Sequence, residues 1–353
     1  MNRRKASIIY LMIFLVVYFL VFTPPTSKEL IFLPVWAKDL SDPSNSSREI
    51  KELEIFPFYS EDLFGYISVD GEVQYAEKIL YGVALAQSVF ANYSRVSENI
   101  VFKDSDGRIV MNLETSGYPI LKNGRIFVIS TDRKRIAEWD DQENLLWKRE
   151  YTSHITSLHI NPNTVLMGFL NGDVELIDKS GKVVLKQTPE RSRVQVIYGC
   201  AASRDDRMIA IISGIDPQRI QLIQKKDDLY KSIFTQILEN EFRRNVYLEF
   251  SDNDRIVFFE GNNSLRYLDT KMKTLGSIML KGKIDKVAFE KRYNLFFALS
   301  SINRENQIKV FKPGGKVFFE STFPGKAAFL NFENDSLFFV VDRKMIRVDL
   351  KEK

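Results

Sequence analysis

An all-β fold built as a ring of small antiparallel sheets, a seven-bladed β-propeller, with an N-terminal transmembrane helix, is what the sequence predicts. Three observations predict it. A strand–turn–strand pattern recurs from residue 99 with starts 36, 38, 46, 45 and 43 residues apart. Further short apolar runs precede each copy and bring the unit to four strands. One long apolar run stands alone at the N-terminus. Units of about 40–50 residues with four strands each are the signature of propeller blades.

The N-terminal run comes first in the chain. Ile8 to Phe22 is apolar without interruption, and 6–23 carries no charge. As a helix, eighteen residues span roughly 27 Å, enough for the hydrocarbon core of a bilayer. Pro24-Pro25 ends it, because proline lacks the amide donor and clashes with the preceding turn. Arg3, Arg4 and Lys5 in the basic start 1–5 hold the N-terminus in the cytoplasm by the positive-inside rule, so the rest is expected outside. A cleaved signal peptide is the competing reading. It requires a small-x-small site, and the nearest candidate, Val35-Trp36-Ala37, lies well beyond the run.

Residues 24–60 read as a linker, with 41–49 (SDPSNSSRE) the most linker-like part. The apolar patch Leu30–Trp36 within it suits either a membrane interface, which favours tryptophan, or docking on the folded domain.

The propeller is assigned to 61–353. Hairpins begin at 99, 135, 173, 219, 264 and 307, and Asp-Gly, Gly-Lys and Gly-Gly pairs mark several of their turns. Blades are expected at 79–116, 117–152, 153–190, 191–240, 241–282 and 283–325. Runs such as Met208–Ile212, Ile256–Phe259 and Leu337–Val341 suit the second strand of a blade, covered on both faces. Segment 326–350 supplies only three strands. Residues 72–78 are therefore expected to complete that blade and close the ring, giving seven blades, or eight if 49–78 forms one of its own. Leu229, Ile233 and Ile237 have helix-like spacing, which suggests a strand to about 234 and then a short helical or looped insertion over 235–242.

The repeat resembles the WD-repeat and quinoprotein-like (PQQ-like) β-propeller superfamily over about 290 residues, by shape. Trp147 in ENLLWKRE is similar to the tryptophan that quinoprotein-type blades carry in their fourth strand. Gly181-Lys182 and Gly315-Lys316 resemble the turns of the same repeats. Most blades lack that tryptophan, and the Trp-Asp and Gly-His signatures are absent apart from Trp139-Asp140. In plan, an exported propeller also resembles the lipoprotein propeller of the bacterial outer-membrane β-barrel assembly machine.

Composition excludes several chemistries. Net charge is +4, and the N-terminal basic triplet supplies three of those charges, so the body is almost neutral and nucleic acid is not an expected partner. The single Cys200 excludes an intrachain disulfide or multi-cysteine metal site and reads as a buried apolar residue. His154 and His159 are five apart, which puts them on opposite faces of a strand and prevents joint chelation. The acidic stretches 104–107 and 140–144 superficially suggest calcium loops but read as ordinary turns. Paired phenylalanines such as Phe258-Phe259, Phe296-Phe297, Phe318-Phe319 and Phe338-Phe339 are expected to pack between sheets.

No catalytic, cofactor-binding or metal residue is singled out, and no cofactor is expected. The function expected is a protein-interaction scaffold of the cell envelope, single-pass in the cytoplasmic membrane with its C-terminal domain outside. The partners expected are the membrane, through a single-pass anchor, and other envelope proteins. A propeller-fold hydrolase or small-ligand sensor using the central channel is the alternative, which requires convergent acids or histidines at the channel mouth.

Overall fold

The structure, a computed structural model, describes residues 30–40, 55–190, 192–227, 229–239, 241–333 and 335–352. Their regular elements are all strands, in eight sheets. Blade 1 holds Ile55–Tyr59, Leu63–Ser68 and Val73–Lys78. Blades 2 to 7 have four strands each and run over 82–113, 118–150, 155–187, 194–237, 248–279 and 283–324. Blade 8 combines Ala327–Glu333, Ser336–Val341 and Lys344–Glu352 with Leu30–Asp39. First strands of neighbouring blades lie against one another, which puts them at the ring axis. Strands are lettered a to d from the axis outward.

The ring has eight blades rather than seven, as in the alternative in which 49–78 forms a blade of its own, and its closure differs from the expectation. Residues 73–78 pair with Leu63–Ser68 inside blade 1. The closing strand is Leu30–Asp39, antiparallel to Lys344–Glu352 from Leu30↔Glu352 to Asp39↔Lys344. Two propeller strands thus fall within 24–60, the stretch read as linker. The local signal was weak for a physical reason. A closing strand pairs with residues some three hundred positions away, so no turn beside it marks it as half of a hairpin.

The three described strands of blade 1 occupy positions b, c and d. Ser68 N–H bonds Glu72 O and Gly71 N–H bonds Ser68 O, the pattern of the c–d turns at 104–108, 178–182 and 312–316. A register shift between Tyr66 and Ile67 also matches those between Phe102/Lys103, Leu176/Ile177 and Val310/Phe311. One turn residue takes the left-handed conformation this bulged hairpin requires, Gly71 at φ 85° and Gly181 at φ 76°.

Apolar clusters fill the spaces between blades. Phe127 and Trp147 join Val165 and Met167 across blades 3 and 4. Phe258 and Phe296 meet edge to face at 4.9 Å across blades 6 and 7. Phe56 and Phe338 meet at 4.6 Å, tilted by 55°, across blades 1 and 8. Strands b of blades 5, 6 and 8, Met208–Ile215, Ile256–Gly261 and Ser336–Val341, are mostly buried, as expected for the runs Met208–Ile212, Ile256–Phe259 and Leu337–Val341. Phe318-Phe319 departs from the expectation. It lies on strand d of blade 7, Val317–Pro324, and is exposed, because an outermost strand has no sheet beyond it. Strand d of blade 5 continues to Ile237, so part of the insertion expected over 235–242 is regular strand.

The anchor segment Ile8 to Phe22, with Arg3, Arg4 and Lys5, lies outside the described residues. Among the described residues no helix is long and apolar enough to cross a membrane.

Candidate functional site

A groove of about 840 Å³ opens where blades 7, 8 and 1 meet. Its floor is apolar: Phe323 and Pro324 from strand d of blade 7, with Phe339, Val341 and Ile346 from blade 8. Phe323 and Phe339 are 5.9 Å apart, centroid to centroid. Its rim is charged, and the charges tie the ring shut. Arg343 donates from Nε to Asp62 Oδ1 at 3.2 Å and pairs again through Nη2, while its carbonyl accepts the Leu40 N–H at 2.8 Å. Lys326 pairs with Glu61. The Arg343 hydrogen bond holds the Asp62 carboxyl below its usual range. An apolar floor with a charged rim can seat a side chain or short segment of another protein and orient it.

A second cluster sits on the inner strands of blades 6, 7 and 8. Tyr247, Glu249, Lys286 and Asn331 help line a pocket of about 220 Å³. Lys286 Nζ is 3.6 Å from Glu249 Oε1. The Tyr247 hydroxyl donates to Glu249 and accepts the Val287 N–H at 3.1 Å, and burial first, then Glu249, raises its pKa. Such a group can bind a small polar ligand.

The seams between blades share a further feature. The Trp147 indole covers Gly181 in the next blade's c–d turn, so closely that a β-carbon there would lie 2.8 Å from Cγ. Trp36 on the closing strand covers Gly71 in the same way. The Trp147 expectation is therefore met. Trp36, read as part of an apolar patch of open role, docks on the folded domain and is a second copy of that tryptophan.

A family model described as a beta-propeller protein matches residues 1–353. The chain belongs to this family of β-propeller proteins. It is similar to a Treponema pallidum (strain Nichols) protein described as uncharacterized, 22% identical over 357 residues, covering 99% of this chain and 95% of the relative. Among solved structures it is similar to BamB from Moraxella catarrhalis, with TM-score 0.58 and 13% identity over 90% of this chain and 100% of that one. It is also similar to the computationally designed Ika8 protein, with TM-score 0.61 and 14% identity over 84% and 95%. These two likenesses concern the fold, a β-propeller.

The acidic stretches of this β-propeller protein are built into its turns. Asp104 Oδ1 accepts the N–H groups of Asp106 and Arg108 at 3.0 and 2.8 Å, and Asp140 Oδ1 those of Gln142 and Asn144 at 2.9 and 2.8 Å. Both acidic stretches are thus turns held by their own carboxylates. Among the described residues no group of three or more His, Cys, Asp or Glu is placed to hold a metal. His154 precedes strand a of blade 4 and His159 lies within it, facing Asn161 at 3.1 Å.

Burial holds the His159 imidazole below its usual pKa against the opposing Asn161 hydrogen bond. For a depressed group the stabilising contribution is complete above the unfolded value, about 6.5, and is lost as pH falls through the lower folded value. Urea midpoints should therefore drop between about pH 7.5 and about pH 5.5, and the drop should shrink in His159→Gln. Equal pH profiles for both proteins would refute this.

Cys200 lies on strand a of blade 5, is 4% exposed and approaches Ser157 Oγ at 3.3 Å. Burial pushes its thiol up to about 12. Because the thiolate is the reactive form, iodoacetamide should leave the native protein unmodified at mildly alkaline pH and alkylate it once in denaturant. Rapid alkylation of the native protein would count against this packing.

Proposed function

We propose that the protein is an interaction scaffold of the cell envelope, tethered by residues 6–23 with its propeller on the outer side of the cytoplasmic membrane. The observation that carries the scaffold reading is the groove between blades 7, 8 and 1, apolar below and charged at its edge. Partner recognition favours such a surface, and a propeller presents it on a rigid ring. The likeness to BamB is in keeping with this reading through the fold. The tether rests on the sequence alone: the uncharged run and the basic residues before it.

Photo-crosslinking residues placed at Ser321 and Lys344 in the groove, and at Lys179 on a distant turn, test the scaffold in intact cells. A discrete partner adduct at the two groove positions and none at Lys179 is expected. Adducts absent from all three, or the same from all three, would overturn it. Extraction of the full chain by alkaline carbonate would overturn the tether.

The pocket around Tyr247, Glu249 and Lys286 favours a second reading, a small-ligand sensor or hydrolase. A metabolite-dependent rise in melting temperature that Glu249→Gln abolishes would select it over the scaffold.

A further inference from the structure

Among the described residues the a–b and c–d turns of the blades lie on one face of the ring. Contacts between neighbouring blades show this: Arg292 Nη1 is 3.0 Å from Asp335 Oδ2, the Arg204 N–H bonds Asp254 Oδ1 at 3.1 Å, and Asn161 Nδ2 bonds Asp206 Oδ1 at 2.7 Å. Because Leu30 pairs with Glu352, the closing strand also starts on this face. Only residues 24–29 separate Leu30 from the apolar run 6–23, and six residues reach about 20 Å at full extension. On the proposed tether, this face is the one held next to the bilayer.

Charge on that face is divided. Its turn segments at 270–274, 291–294 and 312–316 contain no acidic residue, and the acids beside them in blade 6 are Asp252 and Asp254 of the a–b turn and Asp269, which pairs with Arg255. Arg292 is paired with Asp335, whereas Lys271, Lys273, Lys291, Lys312 and Lys316 are exposed. The matching c–d turns of blades 2 and 3, DSDGR at 104–108 and DDQEN at 140–144, are rich in acid. Two large apolar side chains stand among the lysines. Met272, at the tip of its turn, is 67% exposed, and Phe318 is 47% exposed with the Lys312 and Lys316 amines 4.9 and 5.3 Å from its ring.

We propose that this basic sector of blades 6 and 7 rests on an anionic lipid surface, with Met272 and Phe318 entering the interface. Lysines near a charged bilayer gain from its negative potential, and apolar side chains between them reach the acyl boundary. The acidic turns of blades 2 and 3 are repelled by the same surface, so the ring sits tilted, low at blades 6 and 7. The proposal draws its orientation from the tether, but the patch itself does not depend on it.

The full chain tests this. Cys200 is buried, so cysteines introduced as Met272→Cys, Phe318→Cys and, on the opposite face, Asn262→Cys accept a fluorophore selectively. The labelled proteins are reconstituted in vesicles of phosphatidylcholine with and without phosphatidylglycerol, carrying lipid-borne quenchers. Quenching at 272 and 318 in the anionic vesicles, little at 262, and reversal by high salt is the expected result. Each neutralised lysine should lower the docked-to-free ratio about fivefold, so Lys271→Gln/Lys312→Gln/Lys316→Gln should lower it roughly a hundredfold. Equal quenching on both faces, or no difference between the two lipids, overturns the proposal. If 6–23 does not insert, the same protein added to preformed vesicles should still float with anionic ones. That outcome would remove the tether and keep the patch, and failure to float would remove the patch. Unchanged melting curves for the triple variant would exclude misfolding as the cause of a loss.

Discussion

Replacing Glu138 by alanine is expected to cost about 3–5 kcal/mol of stability, the usual consequence of removing one partner of a buried ion pair. Glu138 on strand c of blade 3 is 4% exposed and Arg125 on strand b is 8% exposed. The guanidinium grips the carboxylate with two bonds, Nε to Oε1 at 2.6 Å and Nη2 to Oε2 at 2.7 Å. Trp147 Nε1 donates to the same Oε2 at 2.6 Å. Arg125 Nη1 then crosses to blade 4, bonding the carbonyls of Asn161 and Thr164 at 2.9 and 3.1 Å. Alanine would leave a buried cation without its counter-ion and an indole N–H without an acceptor, and loosen the seam beside Gly181. Urea unfolding followed by two probes measures the loss. Removing both charges, as Arg125→Met with Glu138→Leu, should recover much of it, because an apolar pair leaves no orphaned charge. A loss below about 1 kcal/mol for Glu138→Ala would show that the network is not what holds the two blades together.

Truncating Phe338 to alanine should weaken the closure itself, by about 3–5 kcal/mol. Phe338 is fully buried on strand b of blade 8, and three partners converge on it. Phe56 approaches from blade 1 at 4.6 Å, Trp36 from the closing strand at 5.9 Å, and the Arg347 guanidinium stands 5.9 Å from its ring. The cavity would open at the junction where the two ends of the propeller meet. Trp36→Ala should cost less, since that indole is only partly buried. Limited proteolysis would show where the damage falls: new cuts near 40–55 and 326–343, ahead of cuts elsewhere. Uniform cleavage around the ring would argue that closure is not the weak point.

Much of the fold could be read because a c–d hairpin carries its own punctuation. Turns such as Asp178–Lys182 place an aspartate where its carboxylate caps the turn and a glycine where the backbone goes left-handed, and each sits between short apolar runs. Six blades consequently fell where expected. Blade 1 was less legible, since Pro57 stands within its strand b and a proline, which has no amide donor, argues against a strand. The spacing of Leu229, Ile233 and Ile237 misled for another reason. Steps of four match one face of a helix and also one face of a strand, so the pattern cannot separate the two. The groove could not be read at all, because Asp62, Phe323 and Arg343 come from three separate blades and meet only when the ring closes. Trp36 had a readable counterpart in Trp147, but nothing next to it in sequence indicated Gly71 as its seat.

Because the strand that seals the ring is made first and its partner Lys344–Glu352 last, synthesis imposes a waiting time. At about 5–20 residues per second, roughly 300 residues take on the order of 15–60 s to follow the early strand out of the ribosome. Throughout that interval Leu30–Asp39 has an open edge and an apolar side, and blade 8 cannot exist. Premature stop codons, even a few residues from the end, should thus harm the molecule as severely as damage to its middle, and a holdase acting on the emerging chain would have its most natural target in the first strand.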